Sequence, residues 1–323
     1  MNPIWFPIAQ ATTGGSRDIV DKLARTPLSQ VVFFVSILTV LRCALFFLMR
    51  RRKANHKSVR TALTQFANEI LDSLVFAGVL VFMLIRPFGV QAFVIPTGSM
   101  WPELPVNAYV VANKLIYRYT DPKINDVVVF HPPKEGAIGP DDLDSDGELK
   151  FDFVKRCIGT PGDMIEIKNG ILFRNGKRVD EDYRALSVCL DDPNHCQNYR
   201  MLTADERKHL MYANFKLVKF HGQIVPLNFT DVDANAPVAA ENSVTVTERP
   251  YFVAERYQLP KRADQMKAVR LPAERIPAGM YLMMGDNRNN SFDGRGWGLV
   301  SRDRIVGRSE CVWWPLSKMH VTR

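Results

Sequence analysis

Ser99, in the run AFVIPTGSMWP, and Lys155, in DFVKRCIGTPGD, are the side chains of this 323-residue sequence whose types could make a nucleophile and its base. No Ser/His/Asp signature accompanies them. A serine hydroxyl is a poor nucleophile until a base takes its proton, and a lysine amine is that base only where its surroundings keep it neutral. At pH 7.5 an ordinary lysine is neutral in roughly one molecule in a thousand, so holding it ready takes about 4 kcal/mol of destabilisation of the ammonium. Burial against apolar surface can supply this, and Phe153, Val154 and Met100 flank the two candidates. The chemistry implied is proteolysis. Taken alone, Lys155 would read as a surface strand lysine beside Arg156.

Two apolar runs precede the serine. Residues 31–49 carry Arg42 as their only charge, and 66–86 carry Glu69 and Asp72 in the first turns and Arg86 at the end. Each can span a bilayer as a helix; for the second, a buried soluble helix is the alternative, since its uncharged stretch from Ser73 to Ile85 is short. A cleaved signal peptide fits the first run poorly, because it ends in MRRR without a small-residue cleavage site. The loop 50–65 holds Arg50, Arg51, Arg52, Lys53, Lys57 and Arg60, against Arg17, Lys22 and Arg25 in segment 1–30. That bias places the loop in the cytoplasm, and segment 1–30 and everything after the second span outside. The loop also supplies most of the net charge of +8. What remains is nearly balanced, so the expected partner is the lipid bilayer and no nucleic acid is expected.

Beyond the spans the sequence reads as antiparallel β. DVVVF at 126–130 is an interior strand, Asn169-Gly170 and Asn175-Gly176 are hairpin turns between short extended runs, and YLMMG and RIVGRSECVWW are further strands. ADERKHLMYAN is the best short helix, and 174–273 is polar and irregular. DDLDSDGE copies the opening of a calcium loop, but its twelfth position is Phe153, and the histidines form no HExxH. No metal and no cofactor are expected. Cys189 and Cys196 enclose a polar segment of an exported region and are expected to form a disulfide. Two free thiols, or a metal site with His195, are the alternatives.

The serine and lysine stretches, together with LMMGDNRNNSFDGRGWG, resemble the bacterial type I signal peptidases, the membrane-bound Ser/Lys proteases that remove signal peptides from exported preproteins. The resemblance runs from Phe66 to Trp314. It implies a signal-peptidase/LexA-like catalytic β-domain from 87–173 and 274–323, with a second β lobe inserted at 174–273. It also implies a chain that works as a monomer at the external face of the bacterial inner membrane. Ser99 would attack the scissile carbonyl and Lys155 carry its proton; the Ser99 amide and the Thr97 hydroxyl would hold the oxyanion, with Gly98 allowing the close turn. Ser291 matches the hydroxyl that orients the lysine. Asp293 and Arg295 would form a supporting ion pair, with Asp286 and Arg156 as further support. Many members have Ser where this chain has Gly294, which questions the rigidity of that loop.

Substrates of the resembled family are cut after small residues in an Ala-x-Ala pattern. Ile95, Pro96, Met100, Leu104 and Val154 are candidates for the pocket walls, with plain core as the equal alternative. Trp101, Trp297, Trp313 and Trp314 suit a membrane interface, with core packing as the alternative. A self-processing LexA-like protease, a specialised processing enzyme and an inactive substrate-binding relative are the competing readings. The first lacks a DNA-binding domain here, and the last would be expected to lose Ser99 or Lys155.

Overall fold

The computed structural model describes residues 89–137, 140–191, 196–208, 214–229 and 267–323, with helical residues at 33, 36–44, 47, 66 and 69–77. The chain divides into two compact units, Gln10–Phe93 and Val94–Arg323. In the first, Arg42 and Asp72 form an ion pair, and Val40, Phe47, Phe66 and Phe76 are exposed. Segment 1–30, the basic loop 50–65 and much of both expected spans lie outside the described residues. No described helix is long and apolar enough to cross a membrane.

The second unit is mainly antiparallel β. After β1 (Val90–Val94), its strands are β2 (Tyr109–Asn113), β3 (Val127–Phe130), β4 (Phe153–Gly159), β5 (Ile165–Lys168), β6 (Ile171–Arg174) and β7 (Lys177–Arg178). They continue with β8 (Ser187–Cys189), β9 (Tyr199–Met201), β10 (Asn214–Phe220) and β11 (Gln223–Phe229), then β12 (Met280–Met284), β13 (Val300–Ser301), β14 (Ile305–Trp314) and β15 (His320–Val321). In the large sheet β2, β14, β3, β4, β12 and β13 are neighbours in that order, with β15 beside β14; a second sheet runs β11-β10-β5-β6-β7, and β8 and β9 pair by themselves.

The sequence accounts for the key choices. β3 is VVVF, buried throughout, as a strand flanked by β14 and β4 requires. Asn169 and Gly170 (φ 50° and 73°) and Asn175 and Gly176 (φ 54° and 77°) are left-handed, as tight hairpin turns demand. ADERK forms the short helix α1 (Ala204–Lys208), while 209–213 lies outside the described residues. The second sheet begins at Ile165: β5, the first arm of the Asn169-Gly170 hairpin, pairs with β10, and β6 and β7 follow it through the two Asn-Gly turns.

Strand β4 positions the chemistry. Its Cys157 packs with Val128, Phe130, Met283 and Trp297 on one side, and its Ile158 packs with Ile165, Leu172, Leu217 and Leu282 on the other. With apolar material on both faces, Lys155 and Arg156 are both buried, so neither is the surface residue its charge suggests. Trp297 departs from the interface expectation: it is fully buried, its ring centroid 5.8 Å from that of Phe130. Trp314 stays partly exposed.

Candidate active site

Ser99 sits in a single 3-10 turn, Gly98–Met100, entered from an extended Thr97. The turn closes through the Trp101 amide, which donates to Gly98 O at 3.1 Å. Lys155, opposite Val128 in the register, reaches it from β4: Nζ donates to Ser99 Oγ at 2.6 Å. The lysine is only 5% exposed, and its Nζ stands 5.5 Å from the centre of the Phe153 ring. Burial, the largest influence, pushes its pKa down to about 8; Asp293 and Asp286 pull the other way, and Arg295 assists burial. Thr97 is exposed, its hydroxyl 3.4 Å from Ser99 Oγ.

Two buried ion pairs frame these groups. Asp286 takes Arg156 in a bidentate grip, Nε to Oδ1 at 2.8 Å and Nη2 to Oδ2 at 2.6 Å, with the guanidinium 4.2 Å from the centre of the Tyr183 ring. Asp293 takes Arg295 through Nε at 2.8 Å and Nη2 at 2.7 Å. It also accepts the Gly285 amide at 2.9 Å and the Arg295 amide at 3.1 Å, capping α2 (Gly294–Trp297). Burial would raise the Asp293 carboxyl, but the Arg295 guanidinium and these donors outweigh it and hold the pKa below the ordinary value. Gly294 does not loosen this loop. A Cβ there would stand 2.8 Å from both Leu282 Cδ1 and the Met283 carbonyl oxygen, so glycine lets α2 pack on β12.

The expected orienting contact from Ser291 to Lys155 is not made. Ser291 lies near enough to Asp293 to help hold that carboxyl low. Its buried hydroxyl nevertheless has no hydrogen-bond partner of good geometry among the described residues. Ser291 and the Ser99 carbonyl crowd the same glycine, Gly285. Of the proposed pocket residues, Ile95, Met100 and Leu104 are buried, Val154 is half-buried and Pro96 exposed. Cys189 and Cys196 are joined in a disulfide, Cα to Cα 5.9 Å; Cys43, Cys157 and Cys311 are free. Gly98 is not needed for its φ, which is outside the left-handed region. The nearest obstacles to a side chain there are atoms of Tyr199.

Residues absent from the sequence reading complete the surroundings. Asn287 donates its side-chain amide to Gly98 O at 2.9 Å and accepts from Ser187 Oγ at 2.8 Å. Asn289 Oδ1 accepts the Ser187 amide at 2.9 Å. Arg288 pairs with Glu181 and donates to Gly285 O at 2.9 Å. Asn287 and Arg288 stand inside GDNRNN, so their place beside the site had a signal. Glu181, Ser187 and Tyr199 come from irregular sequence with none.

Residues 67–314 match the family model described as signal peptidase, peptidase S26. The chain is 28% identical over 251 residues to signal peptidase I of Aquifex aeolicus, covering 74% of this chain and 81% of that one. It is 26% identical over 254 residues to a probable signal peptidase I-1 of Synechocystis sp., covering 79% and 86%. It is also 26% identical over 243 residues to signal peptidase I of Bacillus caldolyticus, covering 75% and 90%. A solved signal peptidase I from Enterococcus faecalis aligns with 58% of this chain and 97% of its own at 19% identity and a TM-score of 0.26. The family match extends from before the serine turn to the end of β14, and the chain belongs to the signal peptidase family, peptidase S26.

Proposed function

We propose that this chain is a serine endopeptidase that removes N-terminal signal peptides from exported preproteins, with Ser99 as nucleophile and Lys155 as its base. The observation that carries the reading is the 2.6 Å hydrogen bond from Lys155 Nζ to Ser99 Oγ, in surroundings that bring the lysine pKa to about 8. An amine with that pKa is neutral in a useful fraction of molecules near neutral pH.

In the neutral form Lys155 Nζ accepts the Ser99 proton as Oγ adds to the scissile carbonyl. The developing oxyanion is met by the Ser99 amide and the Thr97 hydroxyl, which turns from Ser99 Oγ towards it. Lys155 then gives the proton to the departing amine, leaving an acyl-enzyme. A water that gives its proton to Lys155 Nζ then adds to the ester carbonyl, and as the acid product leaves, Lys155 returns that proton to Ser99 Oγ. Ser291, its hydroxyl buried beside the Asp293 carboxylate, takes up Lys155 Nζ once the serine has reacted. Small residues at the first and third positions before the cut suit a site whose neighbours Ile95, Met100 and Leu104 are packed rather than open.

Two helices at 31–49 and 66–86 anchor the chain in the bacterial inner membrane as a monomer, with 50–65 in the cytoplasm. The catalytic β-domain (87–173 and 274–323) and inserted lobe (174–273) lie on the external face. The test is cleavage of a preprotein by the detergent-solubilised chain beside Ser99→Ala and Lys155→Met. The reading requires cutting after an Ala-x-Ala site by the parent and none by either variant. Cleavage by Lys155→Met would remove the lysine from the mechanism.

A further inference from the structure

Tyr199 packs against the serine turn at its tightest point. A Cβ built on Gly98 would overlap the Tyr199 ring at Cε2 and Cζ and stand 2.6 Å from its hydroxyl oxygen. The Gly98 φ is ordinary, so the backbone itself would tolerate alanine. What excludes a side chain is the tyrosine. Its ring also lies 6.0 Å, centroid to centroid, from that of Trp101, immediately beyond the turn.

The tyrosine is held in a braced hairpin. Tyr199 on β9 faces Cys189 on β8, and Cys189 is bonded to Cys196. Asp191 accepts the amides of Gln197 and Asn198 at 3.0 Å and 2.9 Å, and the Leu190 amide donates to Asn198 O at 2.9 Å. At the other end, Ser187 is bonded to Asn287 and Asn289, and Asn287 grips Gly98 O. One assembly therefore touches the turn through both Asn287 and Tyr199.

We infer that Tyr199 is a positioning residue for the nucleophile: the disulfide-braced β8–β9 hairpin presses its ring on Gly98 and so sets where the Ser99 amide and hydroxyl point. This rests on the proposed role of Ser99. Oxyanion donors act only when aimed at the place where charge develops, so removing the ring should slow turnover while leaving substrate affinity nearly intact.

The experiment compares Gly98→Ala, Tyr199→Ala, the double variant and Tyr199→Phe in the detergent-solubilised full chain. Preprotein cleavage is read as kcat and KM, and folding as the thermal midpoint. A misplaced nucleophile costs on the order of tenfold to a hundredfold in rate. Tyr199→Ala should fall in that range in kcat with KM little changed, and Tyr199→Phe, which keeps the ring, should recover most of it. Gly98→Ala should be slower still, and adding Tyr199→Ala should return it to the Tyr199→Ala level, because the collision has been removed. A double variant as slow as Gly98→Ala, or full kcat in Tyr199→Ala, overturns the inference. Should the parent chain cut no preprotein, the peptidase reading fails and the midpoints decide this one. A drop in Gly98→Ala relieved by Tyr199→Ala supports the packing, and an unrelieved drop overturns it.

Discussion

The backbone amide of Asn287 donates to the carbonyl of Ser99 at 3.1 Å, so the loop after β12 holds the nucleophile by its main chain. The Asn287 side chain adds the bond to Gly98 O at 2.9 Å and accepts from Ser187 Oγ, and the residue is fully buried. Asn287→Ala would leave the Ser187 hydroxyl without this acceptor and loosen the turn. Each buried polar group stranded in this way costs about 1–3 kcal/mol. The thermal midpoint should fall, and kcat should fall about tenfold or more through displacement of the turn. Asn287→Asp, which can accept but not donate, should be nearly as slow. Full activity in both variants would mean that the backbone bond alone positions Ser99.

The pH dependence follows from the lysine. Only neutral Lys155 can take the serine proton, and burial brings its pKa to about 8. Below that value kcat/KM should fall about tenfold per pH unit, and above it level off. Asp286 raises the Lys155 pKa, so Asp286→Asn should move the midpoint to lower pH in whatever activity remains. A profile flat from pH 6 to 10 would exclude Lys155 as the titrating base.

The same burial has a stability consequence. The folded pKa of Lys155 is about 8 against an ordinary 10.5, so the unfolded chain binds the extra proton between those values and stability rises with pH across that window. Below pH 8 both states are protonated and the folded one bears the full penalty, about 3 kcal/mol at 1.36 kcal/mol per unit. Lys155→Met, similar in volume and apolar, should therefore be inactive and more stable than the parent at pH 7. The advantage should shrink as pH rises past 8. A lower midpoint for Lys155→Met at pH 7 would mean that the bond to Ser99 outweighs the buried charge.

Much of this arrangement could be read in advance because its signals are local. An Asn-Gly pair needs left-handed backbone wherever it occurs, and VVVF has few alternatives to a buried strand. The serine, lysine and GDN stretches each keep their chemistry within a few residues. Tyr199 and Glu181 were not readable, since their partners Gly98 and Arg288 are remote in the chain and their own neighbourhood has no periodicity to suggest burial. Ser291 shows the complementary limit: a short motif identifies a hydroxyl but not its partner, and the expected bond to Lys155 is not made. Residue type leaves Trp297 open to a membrane interface or to the core, and it takes the core, beside Phe130. The side of the sheet that a short helix covers depends on the packing of α2 on β12.

Arg156 and Asp286 are another case of such remoteness. They are 130 residues apart, at 1% and 0% side-chain exposure. Attraction between buried charges is offset by the loss of their hydration, so the pair as a whole adds little stability; removing one member strands the other, at a cost of roughly 3–5 kcal/mol. Arg156→Met should thus lower the thermal midpoint markedly, while Arg156→Met with Asp286→Asn should recover most of the loss. Activity should recover less. The Asp286 carbonyl accepts the Ala185 amide at 2.8 Å, next to the residue that grips Ser99, and the paired guanidinium stacks on Tyr183. These contacts make the pair a register pin between β4 and the loop carrying Asn287. If the double variant regained both stability and full turnover, the pair would be dispensable to the site; if it regained stability alone, the charges are retained for position.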